Sequence, residues 1–122
     1  MNFGSDNMAG AHPAVLEAMA RAGEGIEPSY GADGWSARLK AVLSDWFERE
    51  VFVFPVATGG AANALCLAQL SPPWGGILCA RGSHIDEDEC GAPEFYTGGA
   101  KLAPLGRGGD KLTPELLAEG LQ

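Results

Sequence analysis

Positive charge is scarce in this sequence: eight lysines and arginines stand against sixteen aspartates and glutamates, a formal net charge of −8 at pH 7. A chain so charged repels a phosphate backbone instead of releasing its counterions, which excludes nucleic acid as an expected partner. Long apolar runs are missing as well. Nowhere do about 18 apolar residues follow one another, so no membrane-spanning helix is expected. The opening residues Met1–Asp6 carry neither the basic segment nor the apolar stretch of a secretory signal, and a cytoplasmic location is the expectation. Cysteine is limited to Cys66, Cys79 and Cys90, odd in number and without a CxxC pair. That excludes a disulfide framework and a zinc site, so no metal is expected and the three thiols read as free, small buried hydrophobes.

What is present is enough for one modest domain, since a chain of 122 residues with 46% hydrophobic content buries about two-thirds of its unfolded surface on folding. His12-Pro13 opens an apolar-periodic helix through Val15, Leu16, Ala18 and Met19 that Gly23 and Gly25 close. The stretch from Glu24 to Gly34 has no period and reads as a loop around Tyr30. A second helix is predicted from Trp35 to about Glu48, followed by a strand buried on both sides at Val51–Phe54.

A turn at Ala57–Gly60 leads into a predicted helix over Ala61–Leu70, which Ser71-Pro72-Pro73 stops. Gly76–Ala80 reads as a strand, His84–Glu89 as an acidic segment, and the residues after it as a Gly-Pro loop. Lys101–Leu105 is a further strand candidate near a sheet edge, because Pro104 has no N–H for the ladder. Thr113 as cap and Pro114 in the first turn predict a last helix. Helices alternating with short strands define an α/β layer.

Four places have residues suited to chemistry. Thr58-Gly59-Gly60 lies between a predicted strand and a helix N-terminus, where free N–H groups and the helix dipole favour an anion such as phosphate. A purely structural strand-to-helix turn fits the same residues. His84, ahead of Asp86, Glu87, Asp88 and Glu89, suits acid/base work, metal binding with carboxylates, or stacking on a planar ligand; a solvated acidic loop is the plainer alternative. Ser5-Asp6-Asn7 and Tyr30 serve equally as turn and anchor residues or as ligand contacts.

Taken in order, Phe3-Gly4-Ser5-Asp6-Asn7, His12-Pro13, Ser29-Tyr30-Gly31, Phe54-Pro55-Val56-Ala57-Thr58-Gly59 and the run from His84 to Phe95 resemble the N-terminal third of the low-specificity L-threonine aldolases, of the β-eliminating lyase group. The resemblance runs through nearly the whole chain, and its specificity lies in several separated motifs agreeing at once. It implies part of the three-layer α/β sandwich of the type I pyridoxal-phosphate enzymes, the aspartate aminotransferase-like large domain in truncated form. Residues 1–30 would be an N-terminal helix and extended arm, and residues 31–122 the first part of the cofactor-binding domain.

The implied reaction is cleavage of a β-hydroxy-α-amino acid such as L-threonine or L-allo-threonine to glycine and an aldehyde, with pyridoxal 5'-phosphate as cofactor. On this resemblance Thr58, Gly59 and Gly60 would hold the cofactor phosphate. His84 would stack on the pyridine ring and act as the catalytic residue, and Ser5, Tyr30 and Glu89 would face the substrate. A homodimer or homotetramer with shared sites is implied for the full-length form. The chain departs from many relatives in having Gly60 for Thr, Ala32 for Asn, and Gly82-Ser83 before His84.

The Schiff-base lysine of the family is absent, because Lys40, Lys101 and Lys111 are the only lysines and none has the desolvated setting that the chemistry needs. The isolated chain is therefore expected to be inactive. A non-catalytic cofactor-binding or subunit-interaction fragment, and another β-eliminating amino acid lyase of the same fold, are the alternatives.

Overall fold

Proline in a first turn and glycine beyond the last one bound the first helix as expected: α1 spans Pro13–Ala22, with Gly23 donating its N–H to the carbonyls of Met19 and Ala20. The computed structural model describes residue 4, residues 8–109 and residues 111–122. The chain divides into two compact units, Met1–Phe54 and Pro55–Gln122. Among the described residues no helix is long and apolar enough to cross a membrane.

In the first unit the imidazole of His12 caps α1, its Nδ1 accepting from the Ala14 amide at 3.2 Å. Helix α2 spans Gly34–Trp46 and begins at Asp33, whose Oδ1 accepts from the Ser36 amide at 2.8 Å and whose Oδ2 accepts from the Ser36 hydroxyl at 2.7 Å. These bonds hold the Asp33 carboxyl below the usual carboxylate range, the Ser36 hydroxyl having the larger effect. On α2, Lys40 Nζ lies 2.7 Å from Oε1 of Glu50 and 5.7 Å from the centre of the Phe52 ring, both of which follow the helix.

The strand expected at Val51–Phe54 is not formed, and Phe52 and Phe54 are exposed. A strand exists only by pairing, and no described segment pairs with this one; its β-branched and aromatic composition is not sufficient by itself.

The second unit runs α3 (Gly59–Leu70), β1 (Gly76–Ala80), α4 (His84–Glu87), α5 (Ala92–Tyr96), β2 (Lys101–Leu105) and α6 (Pro114–Gly120). Strands β1 and β2 pair in parallel, Gly76 opposite Lys101 and Ala80 opposite Leu105. Parallel pairing requires a crossover, and the segment carrying α4 and α5 supplies it. Pro104 sits on the edge strand as expected, its carbonyl accepting from Arg81 Nη2 at 3.1 Å. Helix α6 starts at the Thr113 cap, whose hydroxyl accepts from the Leu116 amide.

The core lies in this unit. Ala64 on α3 and Pro93 on α5 are fully buried where these two helices pack, and their small or compact side chains permit the close approach. Thr97 is buried after α5 and fastens the turn into β2: its hydroxyl donates to the Pro93 carbonyl at 2.8 Å and accepts from the buried Ala100 amide at 3.1 Å. Burial was expected of all three cysteines, yet only Cys79 is buried, while Cys66 and Cys90 are exposed. Cys66 lies on an exposed face of α3 and Cys90 in a turn, so neither has neighbours on enough sides. Burial, followed by the nearby charge of Asp86, pushes the Cys79 thiol up.

Candidate functional site

Helix α3 starts two residues earlier than its composition predicts, so Gly59 and Gly60 form its first turn and do not belong to the preceding loop. Thr58 is extended at the cap position, its Oγ1 accepting from the Ala61 amide at 3.1 Å and its carbonyl accepting from the Ala62 amide. The amides of Gly59 and Gly60 have no acceptor among the described residues, the usual condition of a helix's first donors. They stand at the positive end of the helix dipole.

The crossover brings His84 to the same place. His84 is the first residue of α4, and the chain then turns at Cys90 (φ 52) and Gly91 (φ 73), two consecutive left-handed positions that let α5 return against α3. Glu89, just before this turn, is drawn inside. Its side chain is 2% exposed, against 71% for His84. Glu89 Oε1 accepts from Asn63 Nδ2 at 2.7 Å and lies 3.1 Å from His84 Nδ1, while Oε2 is buried without a partner. A Cβ at Gly60 would stand 3.8 Å from Glu89 Cδ and 3.9 Å from Oε2, so glycine leaves an unfilled space beside that oxygen.

Thr58, Gly60, His84, Glu89 and Tyr96 line one open pocket of about 410 Å³. Three of the residues expected at a phosphate and ring site are thus at one pocket, and Gly59 adjoins it in sequence. No lysine or arginine lines it, so any affinity for an anion rests on backbone amides and the helix dipole. Lys40 belongs to the other unit and is paired with Glu50, Lys101 begins β2, and Lys111 lines a different cavity.

Ser5 lies outside the described residues. Tyr30 belongs to the first unit, fully exposed at φ 62 before Gly31. Sequence reading missed Asn63 and Tyr96. Asn63 was signalled by being the one polar residue in the first half of a mostly apolar helical stretch; Tyr96 carried no signal, because its place depends on α5, which was read as a loop.

The pocket forms where the N-terminus of α3 meets the parallel crossover that carries α4 and α5. Residues 2–122 match the model of the beta-eliminating lyase family, and the chain belongs to that family. It is 40% identical over 117 residues to the low specificity L-threonine aldolase of a Pseudomonas species, covering 96% of this chain and 34% of that protein. It is 42% identical over 112 residues to the low specificity L-threonine aldolase of Pseudomonas aeruginosa, covering 92% and 32%.

A solved structure of Leishmania major threonine aldolase superposes with a TM-score of 0.78 at 27% identity, over 93% of this chain and 33% of that one. The chain therefore spans about a third of the length of the relatives it matches. The fold class expected from the sequence, part of the large α/β domain of the type I pyridoxal-phosphate enzymes, is thereby shown.

Proposed function

We propose that this chain carries the phosphate- and ring-holding part of a pyridoxal-phosphate site in an aldolase that cleaves L-threonine or L-allo-threonine to glycine and acetaldehyde. The observation that supports it is the meeting of the unpartnered helix-start amide of Gly60, next to that of Gly59, with an exposed imidazole, His84, at one pocket. These residues fit the phosphate and one face of the ring. Nothing lining the pocket supplies the amine that would bond the cofactor covalently.

In this reading the Gly59 and Gly60 amides donate to phosphate oxygens along the helix dipole. The Thr58 hydroxyl, which accepts from Ala61, keeps its own proton free for a third donation. The His84 ring covers one face of the pyridine and excludes water from it. When bound, the cofactor supplies an electron sink for the pair released at the substrate α-carbon. Ser5, Tyr30 and Glu89 are assigned to the substrate on the resemblance alone. Residues 1–30 act as the arm, residues 31–122 as the start of the cofactor-binding domain, and the assembled protein is a cytoplasmic homodimer or homotetramer.

Titration of the chain with inorganic phosphate and then pyridoxal phosphate, followed by amide NMR, is expected to move Gly59 and Gly60 with both ligands and the His84 ring with the second only. Shifts confined to other residues, or none, would overturn the assignment. Incubation with L-threonine and the cofactor is expected to yield no glycine, and no visible absorbance that borohydride abolishes. A second reading, a cofactor- or subunit-binding module without catalysis, is favoured by the absence of lysine from the pocket. Glycine formation by this chain alone would dispose of it.

A further inference from the structure

We infer that Asn63 and Glu89 are a positioning pair that holds the His84 imidazole in its Nδ1–H tautomer, leaving Nε2 unprotonated on the opposite side of the ring. The inference rests on the cofactor reading only for what the ring then does; the tautomer itself is a property of the chain.

The argument starts from donor and acceptor capacity. Asn63 Nδ2 can only donate, so at 2.7 Å it uses one lone pair of Glu89 Oε1. An ionised carboxylate can only accept, so the 3.1 Å contact to His84 Nδ1 is a bond in which the imidazole N–H donates. The contrast in exposure gives the arrangement its direction. Glu89 is buried and clamped from the α3 side, whereas His84 is largely open. The carboxylate is the fixed member and the ring takes its orientation from it, as outer carboxylates orient functional imidazoles elsewhere. Glu89 lines the pocket with only 2% of its side chain exposed, and its bond to the more open imidazole lets it act on a substrate there through His84.

Unprotonated Nε2 is then available to accept the proton of a substrate β-hydroxyl, the group whose deprotonation lets the carbon–carbon bond break. The protein holds its own reference. His12 accepts the Ala14 amide with Nδ1, so its proton is on Nε2. The two histidines are in opposite tautomers.

The test is imidazole ¹⁵N NMR of the whole 122-residue chain at a pH where both rings are neutral, with His12→Asn to assign the signals. His84 is expected with a protonated Nδ1 and a bare Nε2, and His12 with the reverse. In Glu89→Leu, His84 should revert to the Nε2–H form that free imidazole prefers; in Asn63→Ala, which leaves the carboxylate unclamped, the Nδ1–H bias should weaken without vanishing. An Nε2–H tautomer at His84 in the unaltered chain overturns the proposal. So does an unchanged His84 pattern in either variant whose circular dichroism is native. If Glu89→Leu fails to fold, the tautomer of the unaltered chain still decides. A failure here leaves the phosphate titration intact, and a failure of that titration leaves the tautomer intact, so the two readings are separable.

Discussion

The two units reach helical structure by different means. Residues 8–54 form α1 and α2 with caps at His12 and Asp33, yet none of the described residues there is buried. Residues 55–122 bury Ala64, Cys79, Glu89, Pro93, Thr97 and Ala100 and hold the pocket. Capping satisfies donors that any helix start exposes, so it works without tertiary partners. A site with a buried carboxylate needs packed elements around it, and only the second unit has them.

The largest test of this contrast is Thr97→Val. It keeps the shape but leaves the buried Ala100 amide without its acceptor, which costs about 1–3 kcal/mol. Thermal unfolding should show it as a Tm lowered by roughly 4–8 °C per kcal/mol in a unit of this size. An unchanged Tm would mean that this turn does not contribute to the core.

Gly60→Ser should act in the opposite direction and more weakly. Its hydroxyl would stand within reach of the orphaned Glu89 Oε2, and supplying a donor to a buried acceptor is worth about 1 kcal/mol. Denaturant unfolding with a raised midpoint and unchanged slope would bear this out; a lowered midpoint would show that the space beside Gly60 is needed empty.

A smaller effect belongs to the first unit. Because the Asp33 carboxyl is held below its ordinary value by Ser36, its capping contribution is complete above the unfolded value of about 3.9 and is lost as the pH falls through the lower folded value. Helicity of α2 should therefore be flat from neutrality to about pH 4 and decline below it, and Asp33→Asn, which caps without ionising, should remove that decline. Site-resolved amide shifts against pH would measure it. The smallest effect is expected from Lys40→Ala, since an exposed ion pair with Glu50 contributes little; a measurable loss of Tm would show that the pair and its Phe52 contact matter more than exposure suggests.

Much of this was legible in the residues. Pro13, Gly23, Thr113 and Pro114 mark helix ends by geometry that acts within one turn, and both strands of the sheet stand where their sequences place them. The ordered motifs from Phe3 to Phe95 pointed to the family that comparison shows. Less was legible where pairing decides, as at Val51–Phe54, whose composition suits a strand but which has no described partner. The short helices α4 and α5 were also missed, since single turns stabilised by packing leave little periodicity.

By itself, then, the sequence determined the ends of α1 and α6, the places of both strands and a glycine-rich helix start followed by a histidine, because caps, prolines and glycines act on their immediate neighbours. Only the tertiary structure decided that Asn63, Glu89 and His84 meet. They stand 26 and 5 residues apart, and their contact requires α5 to fold back on α3 and draw Glu89 out of water. No local preference encodes that burial; it follows from which surfaces pack.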